Sequence, residues 1–228
     1  MAAEHQTPAA QSPPAIVRHL RADELALRTA TGARFVALAR DRQLVIRTLA
    51  RDVKKAAAVA RLAPGERDDL DMRLDLDRLS AASPPQVGGV SVGPARHAGT
   101  LLSYYREAQR RFGIRWELLA AINFVESDFG RARTTAKADA QGPMQFEPAT
   151  WRRYGMGGDV YDAHDAILAA ANLPAANGGR TSELAALGHY NRSPLYWDAV
   201  LHLAHRMATV PTAFREYYAW KLYLRRRR

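Results

Sequence analysis

Glu126-Ser127-Asp128-Phe129-Gly130 and, further along, Gly142-Pro143-Met144-Gln145-Phe146 are the stretches from which fold and chemistry are read. The first closes an apolar segment that begins at Ile114. At 100° per residue, Leu119, Ile122 and Glu126 share one narrow stripe, with Leu118 and Val125 beside it. The spacing predicts a helix over 114–127 with a carboxyl group on its apolar face. Desolvation disfavours the charged form and raises the pKa, as a general acid working near neutral pH requires. Gly130 is expected to end the helix just past Glu126 and leave the carboxyl at an open lip. The competing reading is a glutamate whose long stem bends out to water.

The second stretch supplies a tight Gly142-Pro143 turn, an apolar Met144, an amide at Gln145 and an aromatic at Phe146. An amide beside an aromatic suits a sugar: hydrogen bonds to hydroxyl or acetamido groups, and stacking on the ring face. Ser127 either orients Glu126 or a substrate group, or bonds its own backbone at the helix end. Asp128 would point about 200° away from Glu126 on a continuing helix, so the two are poor partners for one bond.

Glu126-Ser-Asp-Phe-Gly130, then Gly142-Pro-Met-Gln-Phe-Glu-Pro-Ala-Thr-Trp151, then Tyr190-Asn191 resemble the lytic transglycosylases of bacterial cell walls. The resemblance runs from about Gly99 toward the C-terminus, and Tyr217-Tyr218-Ala219-Trp220 is similar to the tail of actinobacterial members. It implies a goose-lysozyme-like, all-α catalytic domain that cuts the MurNAc-β-1,4-GlcNAc bond of peptidoglycan. In that chemistry the C6 hydroxyl of the substrate attacks C1, leaving a 1,6-anhydro end, and one glutamate serves as acid and then as base. The resemblance assigns that glutamate to Glu126. It makes Ser127, Met144, Gln145, Phe146, Tyr190 and Asn191 substrate-binding, with the Tyr190 hydroxyl able to hydrogen-bond near the carboxyl. In a bare reading of residue types, Met144 and Phe146 would be core and Asn191 a helix-end cap. The sequence departs from the family at Asn172, where an aromatic is usual, at Pro174, which interrupts a normally clean helix, and at His189, where a small residue is common.

A glycosidase usually needs two carboxylates flanking the scissile bond. Asp139, Glu147 and Asp159 are the candidates for a second, and none lies in a motif. A single glutamate is consistent with the transglycosylase route. The alternatives are a hydrolytic lysozyme on the same fold and a non-catalytic wall-binding or scaffold protein.

The 228 residues carry 33 Lys and Arg against 23 Asp and Glu, a formal net charge of +10. That balance favours anionic partners, including wall polymers as well as nucleic acid. The arginines lack the interleaved aromatics and helix-turn-helix signature of a nucleic-acid binder, so none is expected as partner. Hydrophobic residues make up 47 %, enough for a packed core, and no apolar run is long enough to span a membrane. The stretch Met1–Gln6 lacks a basic segment followed by an apolar one. For a wall enzyme, secreted or wall-associated, the export signal is then expected to have been removed or to lie outside this sequence. The absence of cysteine fits either compartment.

Along the chain, 1–14 read as disordered, 15–82 as an N-terminal helical region, 83–96 as a Pro/Gly linker or extended strap, 97–224 as the lysozyme-like catalytic domain and 225–228 as a basic tail. In the N-terminal region, Leu20, Leu25, Leu27, Phe35, Leu38, Val45, Ile46, Leu49, Val53 and Val59 recur at helical steps, with a break at Gly32. Arg131–Gln141 reads as a polar, functional loop. Asp162 is expected to cap a helix with Asp165 in its first turn; the Asp159, Asp162, His164, Asp165 group matches no metal-loop spacing. Gly155, Gly157 and Gly158 lack the strand and lysine of a phosphate loop, and Ser193 lacks a nucleophile-elbow setting. A monomer without metal or cofactor is expected.

Overall fold

The computed structural model describes residues 11–82, 90–134 and 140–222. Outside them lie 1–10 of the expected disordered segment, 83–89 of the linker, Asp139 in the polar loop, and the tail 225–228. The fold is all-α. Among the described residues four helices, α1 (Pro13–Leu27), α2 (Gly32–Leu49), α3 (Val53–Leu62) and α4 (Arg67–Ala82), precede seven more: α5 (Ala98–Phe112), α6 (Trp116–Ser127), α7 (Pro148–Tyr154), α8 (Ala163–Ala176), α9 (Glu183–Gly188), α10 (Pro194–Thr209) and α11 (Ala213–Ala219).

Local chemistry sets these boundaries. Pro13 and Pro14 open α1, so helix begins inside the stretch read as disordered; proline's fixed φ suits a first turn. Two breaks, not one, divide the first helical stretch, the second where the Asp52 side chain accepts from Lys55 N and starts α3. Leu25 and Val53, expected in the apolar stripe, are exposed: Leu25 falls off the Ile16–Leu20–Leu27 line, and Val53 opens a helix. Asp162 caps α8 as expected, its Oδ1 accepting from His164 N at 2.8 Å and Asp165 N at 3.2 Å. Pro174 does not interrupt α8; it lies inside its last turn, where it removes one ladder bond and the helix ends two residues on.

The stretch expected as a linker or extended strap ends in regular structure. Val90–Val92 is a strand, β1, and pairs antiparallel with β2 (Ala132–Thr134), with Ser91 opposite Arg133. Part of the polar loop after Gly130 is therefore half of a ribbon. Neither segment alternates polar and apolar residues for long enough to announce itself.

Helix α6 is the axis of the molecule. Leu118, Leu119, Ala120, Ala121, Ile122 and Asn123 are all buried, so it is enclosed on nearly every side. Helix α10 lies along α4 and α6, and α5 packs on α6 and α8. The N-terminal helices share the interior with the C-terminal one. Arg42 of α2, fully buried, bonds Glu66 Oε2 at 2.7 Å, Asp69 Oδ2 at 3.2 Å, Glu216 Oε1 at 2.7 Å and the Leu20 carbonyl at 2.8 Å. Arg206 reaches Asp69 at 3.0 Å and the Gly65 carbonyl at 2.7 Å, and the Tyr217 hydroxyl donates to Asp69. Buried charges persist only when paired in this way. None of the described helices is long and apolar enough to cross a membrane.

Candidate active site

Helix α6 ends at Ser127, one residue beyond Glu126. The terminator is Asp128, in the left-handed conformation at φ 50°; Phe129 and Gly130 follow at 60° and 82°. Gly130 is thus the third residue of the turn and not its cap. The strain of Phe129 is offset by burial of its ring against Phe124 at 5.5 Å and Phe214 at 5.7 Å.

Glu126 is half-buried at this helix end. The Tyr196 hydroxyl, from the first turn of α10, donates to Oε1 at 2.7 Å. Desolvation pushes the Glu126 carboxyl up to about 7, with the Tyr196 hydrogen bond pulling the other way. The Tyr190 and Tyr196 hydroxyls feel the same group: burial raises both well above the ordinary phenol range, and the negative charge of Glu126 adds to it.

The Gly142–Phe146 turn is fastened to the end of α6. Asn123 Nδ2 and Ser127 Oγ both donate to the Pro143 carbonyl, at 2.7 and 2.5 Å, and Ser127 Oγ accepts from Gly130 N at 2.9 Å. The Tyr105 hydroxyl in turn fixes Asn123 by donating to its Oδ1 at 2.6 Å. Gly142 sits at φ 73°, and a Cβ there would overlap the Val160 carbonyl oxygen. Gln145, at φ 51°, donates Nε2 to the Gly142 carbonyl at 2.7 Å.

Several of the residues expected to bind substrate are engaged within the fold. Ser127 is buried and its hydroxyl is spent on the turn, where it positions backbone. Met144 is fully buried and Phe146 is 3 % exposed. Both form the layer beneath the site, Phe146 between Trp151 at 5.3 Å and Tyr190 at 6.2 Å. The apolar preference that suits them to a cleft wall has drawn them into the core. Among the described residues the Tyr190 hydroxyl is buried without a hydrogen-bond partner, and Tyr196 takes the bond expected of it. Asn191 shapes its own turn: Oδ1 accepts from Ser193 N at 2.9 Å, and its carbonyl accepts from Trp197 Nε1 at 2.5 Å. Gln145 and Tyr190 remain half-buried, and Tyr190 lies near enough to Glu126 to feel its charge.

Tyr196 was missed. Its signal lay in the stripe Tyr196, Ala199, Val200, Leu203, whose one polar atom needed a partner when buried. Asn123, inside the apolar face of α6, carried a similar signal.

The other acids are engaged elsewhere. Asp128 Oδ1 meets Arg131 at 3.4 Å, while burial pushes its carboxyl up to about 6. Asp159 accepts from Tyr161 N at 2.9 Å, and Glu147 is exposed at the start of α7.

Residues 103–195 match the family model described as the transglycosylase SLT domain, a lytic transglycosylase family with a lysozyme-like domain. The match supports peptidoglycan-degrading action of the lytic-transglycosylase type. It spans Glu126, the Gly142 turn and Tyr190, and covers less than half of the 228 residues, leaving α2, α4 and α11 outside. No curated protein and no solved structure matches the chain.

Proposed function

We propose that the protein cleaves the MurNAc-β-1,4-GlcNAc bond of peptidoglycan outside the cytoplasm by intramolecular transglycosylation, with Glu126 as the single acid/base. The observation that carries this is the Glu126 carboxyl: half-buried at a helix end, shifted toward neutrality by desolvation, and held through one oxygen by Tyr196. Because the Tyr196 hydroxyl donates into Oε1, the carboxyl's own proton belongs on Oε2. That proton goes to the glycosidic oxygen as the C1–O bond breaks. The carboxylate then removes the proton of the muramoyl C6 hydroxyl as its oxygen bonds C1, closing the 1,6-anhydro ring and restoring the acid. No water is consumed, so no second carboxylate is needed to activate one. The engagement of Asp128 with Arg131, and of Asp159 with its local turn, supports that route over hydrolysis. In this reading Gln145 and Tyr190 are the side chains that meet sugar, and Ser127 and Asn123 hold the turn in register with the acid.

Digestion of purified peptidoglycan followed by mass analysis tests this. Anhydro products, lighter by one water than hydrolysed ones, are expected from wild type and not from Glu126→Gln. Hydrolysed products would replace the reading with a lysozyme, and equal inactivity of both proteins would leave a wall-binding scaffold.

A further inference from the structure

Three metal-ligating side chains converge on the helices that precede the stretch matching the SLT domain. His19 and Asp23 lie one turn apart on α1 and share a face, and Asp41 comes from α2 across the helical hairpin. His19 Nε2 stands 3.3 Å from Asp23 Oδ2 and 2.5 Å from Asp41 Oδ2. One donor atom from each of the three lies within 4.8 Å of the other two. No loop spacing announces such a group, because the third member is supplied by helix packing.

Asp23 is the unusual member. It is 9 % exposed, and its Oδ2, turned toward His19, is buried without a hydrogen bond from any described residue. Leaving a buried carboxylate oxygen in that state is costly. Asp41 sets a second carboxylate beside it, so the group stays acidic even with His19 protonated. Beyond His19, the cation that Asp23 feels is Arg42, and Glu66, Asp69 and Glu216 already hold that guanidinium. A positive charge between the three side chains would satisfy all of them at once. The group at Asp162, His164 and Asp165 differs: Asp162 Oδ1 accepts from two backbone N–H groups, and Asp165 Oδ2 accepts from Asp159 N at 2.9 Å.

Geometry and donor type narrow the ion. Ligand atoms around a tetrahedral zinc stand roughly 3.3 Å apart. The His19–Asp23 separation already has that value, and the His19–Asp41 contact has to open by less than an ångström. Asp41 is partly exposed and can swing that far. One imidazole with two carboxylates suits zinc or a neighbouring first-row ion, whereas calcium and magnesium favour oxygen alone. The exposed edges of His19 and Asp41 give the ion a path from solvent and room for water as a further ligand. We infer that His19, Asp23 and Asp41 form a binding site for a first-row divalent cation, zinc by preference, that clips α1 to α2. Glu126 plays no part in it.

The test is calorimetric titration of Zn²⁺ into the chelator-stripped full chain, with Mg²⁺ as the control ion. One equivalent of Zn²⁺ should bind under conditions where Mg²⁺ does not. At a hundredfold excess over Kd, Zn²⁺ should raise the melting temperature by about 5–10 °C. His19→Gln and Asp41→Asn, both at partly exposed positions, should each weaken that equivalent more than about tenfold and remove the thermal shift, while their metal-free melts stay cooperative. His164→Gln should leave both readouts unchanged. X-ray absorption of the zinc-loaded protein should show one imidazole, with oxygen as the remaining ligands. Absence of a zinc-dependent shift in wild type, an equal response to Mg²⁺, an equivalent that survives both substitutions, or one lost with His164→Gln overturns the inference.

Discussion

The Tyr196 hydroxyl donates to Glu126 Oε1 at 2.7 Å across a sequence separation of 70 residues, tying the start of α10 to the end of α6. The bond fixes which carboxyl oxygen is free and, by favouring the charged form, restrains the upward shift that burial imposes. Removing it has two separable effects. Tyr196→Phe should lower kcat about tenfold through loss of positioning and move the alkaline limb of the pH–rate profile upward. Tyr190→Phe, whose hydroxyl has no hydrogen-bond partner among the described residues, should change the profile far less. Paired pH–rate curves of the two variants check this.

Glu126→Gln should reduce turnover by about 10²–10⁴-fold, the range of a general acid–base contribution, with glycan binding retained. Release of soluble fragments from purified wall is the measurement.

The pH dependence has a defined sign. In the proposed mechanism the acid form of Glu126 is the active one, so activity should fall as pH rises through about 7. For stability, the folded-state pKa stands above the unfolded one. Between about 4.5 and 7 the folded protein binds the extra proton, and stability drops across that window as pH rises. Glu126→Gln removes a desolvated charge and should stabilise the fold at pH 8 by about 1–3 kcal/mol, with little difference at pH 4. Denaturant melts at the two pH values read this directly.

Arg42 lies between Glu66, Asp69 and Glu216 with no exposed surface. Arg42→Met leaves three buried carboxylates short of a cation, and Arg206 compensates in part, at 3.0 Å from Asp69 and 4.0 Å from Glu66. A loss of about 3–5 kcal/mol is expected. A fragment starting at residue 97 would strand Glu216 in the same way and should not give a cooperative melt, whereas 11–222 should.

Gly142→Ala should disrupt the site from beneath. The added methyl group meets the Val160 carbonyl, and the positive φ is unfavourable for alanine. Loss of activity should exceed that of Gln145→Ala, because the whole turn moves; thermal melts and lysis rates of both variants make the comparison.

Much of the architecture was legible in residue order. Local rules are short-ranged: Pro194 at a helix start, Asp162 as a cap, and the apolar stripe through Leu119 and Ile122 act within a turn or two of chain, so the sequence contains them whole. Glu126 on an apolar face belongs to the same class. Tertiary structure alone decided which polar atoms find one another. The Tyr196 bond, the double hold on Pro143 and the Arg42 cluster join residues far apart in the chain. It also decided which apolar side chains became floor and which could face a ligand: Met144 and Phe146 have the composition of a cleft wall, and burial took them inward. The reason is the range of the forces. Periodicity and capping depend on neighbours in sequence, while desolvation of an acid, satisfaction of a buried hydroxyl and pairing of a buried arginine depend on whichever segment the fold brings alongside.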